Sequence, residues 1–234
     1  MAHLHVDVWS DIACPWCYVG KRRLEAALKQ FPERESVHVR WHAFELNPSA
    51  PRRIEAAGSY AERLSKKYGT SVREAEARLA QLTELAGAEG IPMDFRRIRP
   101  GNTFDAHRLV QLAAERGRQD EMKERFLRGY LCEGEAIGEP EVLVRLAAEI
   151  GLDEEQVRAT LSSDSFAREV RADQEQAREI GIQGVPFFVL GGRYAVSGAQ
   201  PVELLLRALT QTQGELAPQP EQFAEGAACG PDGC

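Results

Sequence analysis

The chain has 234 residues, of which 43% are hydrophobic and 28% are charged, as is typical of a globular protein. Its net charge of −7 argues against a nucleic-acid-binding surface, which needs a basic face. We find no signal-peptide pattern and no window of about 20 consecutive apolar residues, so we expect a cytoplasmic protein with no membrane partner.

The first predicted elements form a β-α-β unit. Residues 3–9 alternate in the manner of a strand, and a helix is predicted to begin at Cys14 in the stretch "CPWCYVGKRRLEAALKQF". Pro15 suits the first turn of that helix, where a missing N–H costs nothing. Residues 36–44 return to strand alternation. Two strands joined by a helix in this way are expected to be parallel.

A long helical region follows, and then a short β-rich segment. Helical periodicity begins at Asn47 and continues for about 130 residues. The predicted helices span residues 71–90, 104–117, 119–132, 139–150, 153–163 and 165–180. Val185 to Leu190 is predicted to be a strand, joined by a two-residue turn at Gly191 and Gly192 to a second strand from Arg193 to Ser197. An amphipathic helix, "AQPVELLLRALTQT", follows this hairpin.

This order of elements predicts a mixed α/β fold in which the two β-rich parts share one sheet, because neither part has enough strands alone. We predict one domain from residues 1–46 and 181–213, and a helical insertion from residues 47–180. Residues 214–234 are rich in Pro, Gly and Glu and are predicted to form a flexible tail.

The pair Cys14 and Cys17 carries the most specific chemical signal. Such a pair can be a redox centre, half of a zinc site, or two buried cysteines. A Cys-x-x-Cys at a helix start within a β-α-β unit favours the redox interpretation. The helix N-terminus is expected to lower the pKa of Cys14, which would then attack, while Cys17 would be the resolving thiol. A second feature is Val185-Pro186, whose peptide bond can be cis, although the proline can also simply begin a strand.

The chain resembles the thioredoxin-fold DsbA family, and within it the FrnE-like disulfide oxidoreductases. Three stretches carry the resemblance: "SDIACPWCYVGKRRLEAAL" from residue 10, "NTFDAHRL" from residue 102 and "GIQGVPFFVLGGRYAVSGAQ" from residue 181. The resemblance covers residues 3 to about 212. It implies a thioredoxin fold with a large all-helical insertion between β-α-β and β-β-α halves.

The resemblance also implies the chemistry. Cys14 and Cys17 would be the redox centre, and Val185 and cis-Pro186 would pack beside it, where the backbone pairs with an extended substrate segment. The partners would be proteins with disulfides or thiols and a thiol reductant, and no bound cofactor is expected. The expected function is the reduction or isomerisation of unwanted disulfides in the cytoplasm, including under oxidative stress.

Three further residues near the motifs are assigned roles. Asp11 is expected to hold the strand-to-helix loop by accepting backbone N–H bonds. Trp16 is expected to be exposed and to contact the substrate. His107 is a candidate for substrate contact, although a lone helix histidine is more often a structural hydrogen-bonding residue.

Cys132 has no cysteine neighbour in sequence and is expected to pack in the interior.

The last six residues, "CGPDGC", leave three interpretations open. Cys229 and Cys234 can be a second redox pair that exchanges with Cys14 and Cys17, since the Gly-Pro-Asp-Gly turn can bring them close enough for a disulfide. All four cysteines can instead bind zinc as a four-thiolate site, although no metal site is otherwise expected. The tail pair can also be inert.

Two other functions remain as alternatives. Kappa-class glutathione transferases and 2-hydroxychromene-2-carboxylate isomerases belong to the same superfamily, so a glutathione-dependent isomerase or transferase is one. Those enzymes carry a serine or a lone nucleophile, whereas this chain keeps Cys17, which favours disulfide exchange. The other alternative is a zinc-binding or holdase-type chaperone module.

Overall fold

The computed structural model describes residues 3–54 and 58–216. In this part of the chain, the strands form one mixed sheet with the order β2-β1-β3-β4. These strands are β1 (Leu4–Ser10), β2 (Val37–Ala43), β3 (Phe187–Leu190) and β4 (Tyr194–Ser197). β1 and β2 are parallel, as the β-α-β pattern predicts, while β3 pairs with β1 and with β4 in the antiparallel sense.

The α-helices flank the sheet and fill the sequence between its two halves. They are α1 (Pro15–Gln30), α2 (Tyr60–Tyr68), α3 (Val72–Ala88), α4 (Phe104–Glu115), α5 (Gln119–Arg128), α6 (Pro140–Glu149), α7 (Glu154–Leu161), α8 (Ala167–Glu179) and α9 (Val202–Leu216). A π-helical turn, Gly129–Glu133, extends α5. The mixed α/β fold with helices between the halves of the sheet is therefore confirmed, whereas the domain boundaries stay a prediction.

One face of the sheet forms the main core. Val6 and Val8 of β1 and Trp41 of β2 are buried there together with Phe188 of β3, because alternate residues of a strand share a face. α1 and α9 pack against each other on this side, and α5 contacts β2. α1 follows β1 in the chain and packs on this side of the sheet, so its N-terminus lies at the end of β1.

The opposite face of the sheet holds a smaller core around Trp9 and a buried histidine. The Trp9 ring stacks on the His42 ring with centroids 4.3 Å apart, and Trp9 Nε1 donates to the Asp173 carbonyl oxygen of α8. His42 Nδ1 and Nε2 each lie 2.7 Å from a carboxylate oxygen, of Asp173 and Asp7 respectively. Burial acts to lower the pKa of His42, but the hydrogen bonds with Asp173 and Asp7 outweigh it and raise the pKa.

The raised pKa of His42 makes a prediction about stability. A group whose pKa is higher in the folded state stabilises fully below its unfolded pKa of about 6.5, and this contribution is lost as pH rises through the folded pKa. We expect His42→Gln to lower the free energy of unfolding by about 2 kcal/mol at pH 6, and by about 1 kcal/mol less at pH 9. Urea denaturation of both proteins at the two pH values measures this difference, and an equal loss at both would contradict it.

The hairpin between β3 and β4 differs from its prediction. Leu190 pairs with Tyr194, so three residues lie between the paired positions rather than two. Gly191 and Gly192 both have positive φ, and Arg193 N donates to Leu190 O at 3.0 Å. The turn is thus where the two glycines predict it, but Arg193 belongs to the loop instead of β4.

α1 is fixed to α5 by a buried lysine. Lys21 is 1% exposed, and its ammonium pairs with Asp120 at 2.9 Å, with Glu124 at 3.4 Å and with Glu25. These contacts hold α1, which carries Cys17, against α5. No helix in residues 3–54 and 58–216 is both long and apolar enough to span a membrane.

Candidate active site

The two cysteines predicted to be the redox centre lie where β1 ends and α1 begins. Cys14 is the N-cap of α1 in an extended conformation, and Pro15 is its first residue. The turn before it is closed by a hydrogen bond from Cys14 N to Asp11 O at 3.3 Å. The helix start predicted at this proline is confirmed, and it places Cys17 one turn inside the helix.

The two cysteines are both buried, but to slightly different extents. Cys14 is 5% exposed and Cys17 is 0% exposed, and both are free thiols. Cys14 Sγ lies 3.5 Å from the carbonyl oxygen of Val185. The Val185–Pro186 peptide bond is cis, as the resemblance implies. Cys14 is therefore slightly more accessible than Cys17, and its sulfur lies beside the Val185 backbone.

The pKa values of the pair differ from the prediction. A hydrogen bond with Cys17, followed by burial, raises the pKa of Cys14. Burial acts to raise the pKa of Cys17 as well, but the hydrogen bond from Cys14, the charge of Lys123 and the Ser10 hydroxyl together lower it. The expectation that the helix N-terminus lowers the pKa of Cys14 is therefore wrong for the reduced pair. Two interacting thiols lose their protons as a pair, and the first negative charge is best stabilised at Cys17.

Asp11 holds the loop between β1 and α1. Its carboxylate accepts hydrogen bonds from Ala13 N at 3.3 Å and from Leu46 N at 2.8 Å, which confirms the predicted contacts with backbone N–H groups. His107 Nε2 lies 3.3 Å from the same carboxylate. Burial acts to raise the pKa of Asp11, but the bonds with His107 and Leu46 lower it, so the carboxylate stays charged.

His107 lies in the interior of the protein. It is 1% exposed and its ring contacts Asp11, which fits the structural interpretation, and contact with a substrate stays a prediction. Asn102, at the start of the same motif, donates from Nδ2 to Glu45 at 3.4 Å, and its backbone N–H donates to Pro51 O at 3.0 Å. The "NTFDAHRL" stretch thus fixes the loop after β2 to the cysteine-bearing loop.

Lys123 of α5 is the charged residue that sequence reasoning missed. It is 0% exposed, Nζ donates to Ser10 O at 3.1 Å, and its charge acts on the Cys17 thiol. The signal was its place on the apolar stripe of α5, at helix spacing from Phe126, Leu127 and Tyr130. A lysine on such a stripe is buried with the stripe.

A groove of about 620 Å³ is lined by residues of α2, of α3 and of the segment that follows α3. Its apolar lining includes Met93, Phe95 and Tyr60. Burial raises the pKa of Tyr60 to about 12, and the negative charge of Cys14 adds to the effect, so Tyr60 faces both the groove and the cysteine. Trp16 is 42% exposed, as predicted. Neither cysteine lines the groove, and Tyr60 is the residue that connects it to Cys14.

The remaining cysteines take no part in this arrangement as far as the structure describes it. Cys132 is 8% exposed, and burial raises its pKa to about 11, in agreement with the predicted packing role. Cys229 and Cys234, and with them the predicted tail, lie outside the described residues. Within residues 3–54 and 58–216, no three His, Cys, Asp or Glu side chains are grouped so as to bind a metal ion. The four-cysteine zinc hypothesis stays untested.

Comparison with known proteins agrees with this geometry. The DSBA-like thioredoxin domain family matches residues 5–210. The chain belongs to the DsbA-like thioredoxin domain family. The family that the motifs resemble is thus confirmed, and with it the thioredoxin fold. The narrower FrnE-like assignment stays a prediction.

Three solved structures of DsbA-like proteins are similar to this one. A probable DsbA oxidoreductase from Streptomyces coelicolor is 46% identical, with a TM-score of 0.86 over 99% of this chain and 98% of its own. A 2-hydroxychromene-2-carboxylate isomerase is 20% identical, with a TM-score of 0.69 over 90% of this chain and 97% of its own. The cytosolic disulfide reductase DsbM from Pseudomonas aeruginosa, solved with GSH, is 23% identical, with a TM-score of 0.61 over 90% of this chain and 99% of its own. The latter two show the fold alone.

Proposed function

We propose that this DsbA-like protein is a cytoplasmic thiol–disulfide oxidoreductase that reduces or isomerises protein disulfides through Cys14 and Cys17. One observation carries the proposal. Cys14, the more accessible of the two thiols, lies at the start of α1 with Sγ 3.5 Å from Val185 O, and Cys17 is fully buried one turn behind it. This arrangement suits attack by the first sulfur and resolution by the second.

The reductive cycle has two exchange steps. The first exchange step requires a thiolate at Cys14. When the pair carries one negative charge at Cys17, the Cys14 proton therefore passes to Cys17. The Cys14 thiolate then attacks a substrate disulfide, a bond forms between Cys14 and one substrate sulfur, and the other substrate sulfur leaves and is protonated. In the second step, Cys17 loses its proton and attacks Cys14 Sγ. The Cys14–Cys17 disulfide forms, the second substrate thiolate leaves, and two electrons have passed to the substrate.

The surroundings of Cys14 supply a way to hold a protein chain. An extended substrate segment would pair with the backbone at Val185, by strand addition next to the cis-proline. Its apolar side chains would contact Trp16 on one side and the groove containing Tyr60 and Phe95 on the other. Contacts of this kind accept many sequences, as a general disulfide reductase needs.

The direction of electron flow follows from the reductant. In a reducing cytoplasm a thiol such as glutathione would return Cys14 and Cys17 to the dithiol form, which favours reduction and isomerisation over net oxidation. The cytosolic disulfide reductase DsbM, which shares this fold, was solved with GSH, and this supports glutathione as the reductant. A role under oxidative stress follows, since unwanted disulfides accumulate then.

Cys229 and Cys234 are proposed as a second redox pair that exchanges with the centre. About 15 residues separate Gly214 from Cys229, and a chain of that length can span about 50 Å when extended. Mass spectrometry of the cysteine connectivity after mild oxidation tests this role. Linkage of Cys14 or Cys17 to a tail cysteine supports exchange, and one zinc ion per reduced chain that is lost on tail truncation supports the zinc site instead.

A glutathione-dependent isomerase or transferase is the second candidate, favoured by the fold shared with the 2-hydroxychromene-2-carboxylate isomerase. Reduction of insulin disulfides and refolding of scrambled ribonuclease A, each with glutathione, test the primary proposal. We expect catalysis in both assays. Glutathione binding that survives Cys17→Ser, with no catalysis in either assay, would instead favour the second candidate.

A further inference from the structure

Two buried lysines lie beside the same tryptophan ring, and they differ in their charge partners. Lys21 of α1 is 1% exposed and Lys123 of α5 is 0% exposed. Their Nζ atoms lie 5.9 Å and 5.8 Å from the centroid of the Trp41 ring. Lys21 pairs with three carboxylates. Lys123 has none within 4.0 Å in residues 3–54 and 58–216, and its hydrogen bond is to Ser10 O.

The groups that face Lys123 come from the cysteine-bearing side. They are Cys14, Cys17 and Lys21 of α1 and Asp11 of the preceding loop, with His107 of α4 behind Asp11. Burial lowers the pKa of Lys123 to about 8, while the negative charges of Cys17 and Asp11 oppose that change. A buried ammonium is costly without a counter-charge, and Asp11 is already paired with His107. Among the charges that face Lys123, that of Cys17 acts on it most strongly, and a thiolate there would add a second counter-charge to that of Asp11.

Ser10 joins the two residues. Its carbonyl oxygen accepts the hydrogen bond from Lys123. Its hydroxyl is buried without a partner in hydrogen-bond geometry, yet it faces Cys17 closely enough to lower the pKa of that thiol. A thiolate at Cys17 would therefore have a donor in the Ser10 hydroxyl and a positive charge behind it.

We propose that Lys123 is the positive charge that stabilises the Cys17 sulfur as a thiolate while it attacks the mixed disulfide. This inference rests on the function proposed above and assigns Lys123 as a positioning residue that acts through Cys17. Cys17 loses its proton, its sulfur bonds to Cys14 Sγ, and the bond from Cys14 to the substrate breaks. The substrate sulfur leaves with the electron pair, takes up a proton, and is thereby reduced.

Stopped-flow reaction of the reduced full-length protein with one equivalent of 4,4′-dithiodipyridine separates the two steps. Each step releases one thiopyridone, the first by Cys14 attack and the second by Cys17 attack. In Lys123→Met we expect the second phase at pH 7 to slow about tenfold, because a rise of one unit in the pKa of Cys17 leaves about a tenth of the thiolate. Its pH midpoint should rise, and the first phase should change less than about twofold.

Two further variants make the result decisive. Lys21→Met is the matched control, since it removes a buried lysine beside the same ring, and the pH midpoint of its second phase should equal that of wild type. Lys123→Arg keeps the charge and should keep the second phase within about threefold of wild type. A Lys123→Met second phase with an unshifted pH midpoint would overturn the inference. If the methionine variant does not fold, a folded arginine variant that resolves tenfold more slowly would overturn it.

The same experiment distinguishes failure of the inference from failure of the proposed function. A wild-type protein with no second phase would show that Cys17 does not resolve, which removes the proposed function itself. A biphasic wild type with a normal Lys123→Met profile removes only the role of Lys123.

Discussion

Cys14→Ser is expected to reduce catalysed insulin-disulfide reduction to the uncatalysed background, a loss of at least about a thousandfold. The serine hydroxyl is not ionised near neutral pH and cannot form a disulfide, so the first exchange step is lost entirely. Cys17 cannot replace Cys14, because it is 0% exposed and an external disulfide cannot reach it. Turbidity of reduced insulin, with glutathione as the reductant, measures the rate.

Cys132→Ser is the matched control for this loss. Cys132 is also a buried free thiol, but it lies in the π-helical turn after α5 and its raised pKa of about 11 keeps it protonated. We expect this variant to retain activity within about twofold, because the two proposed exchange steps use only the sulfurs of Cys14, Cys17 and the substrate. An active Cys14→Ser protein, or an inactive but folded Cys132→Ser protein, would refute the assignment of the nucleophile.

Gly20→Ala is expected to produce the second largest effect. Gly20 lies in the middle of α1, and a Cβ at this position would meet Pro186 Cγ at 2.7 Å and Phe188 Cζ at 3.3 Å. Neither ring can bend away, so α1 and the segment before β3 must separate. We expect a loss of about 1–3 kcal/mol in the free energy of unfolding. We also expect insulin reduction to slow about tenfold or more, because Cys14 moves relative to Val185.

Gly87→Ala provides the comparison in a helix away from the site. Gly87 lies in α3, and no atom is within 4 Å of a Cβ added there. This substitution should stabilise the protein by about 0.5–1 kcal/mol, because alanine loses less backbone entropy than glycine in a helix. Activity of Gly87→Ala should be unchanged. Equal stability and activity of Gly20→Ala and wild type would show that α1 does not pack on Pro186 as described.

The parts of the molecule that sequence could predict are those with local patterns. The alternation before residue 10, the proline after Cys14 and the helical spacing that follows give the first strand and helix with little ambiguity. The parallel pairing of β1 and β2 then follows from the geometry of a helical crossover. The positions of Cys14, Cys17 and Pro186 in one site needed the family resemblance, because about 170 residues separate the two parts in sequence.

The parts that sequence could not predict depend on contacts between distant segments. Whether His107 meets a substrate or Asp11 depends on the orientation of α4, which no local pattern encodes. The pKa of Cys14 is raised by its hydrogen bond with Cys17 and by burial, and the pKa of Cys17 is lowered in part by Lys123, which a helix more than 100 residues away contributes. In isolation the helix N-terminus favours a Cys14 thiolate, but the buried lysine and the Ser10 hydroxyl favour the charge at Cys17.

The most direct test of the central claim is to capture the intermediate between the two exchange steps. Cys17→Ser removes the resolving thiol, so a substrate that reacts with Cys14 should remain attached through a mixed disulfide. The reduced variant would be incubated with intact, disulfide-bonded insulin, quenched in acid and digested without reductant. Mass spectrometry should then find substrate cysteine linked to Cys14. Linkage at Cys132 instead, or no linkage in a folded variant, would contradict the proposed mechanism.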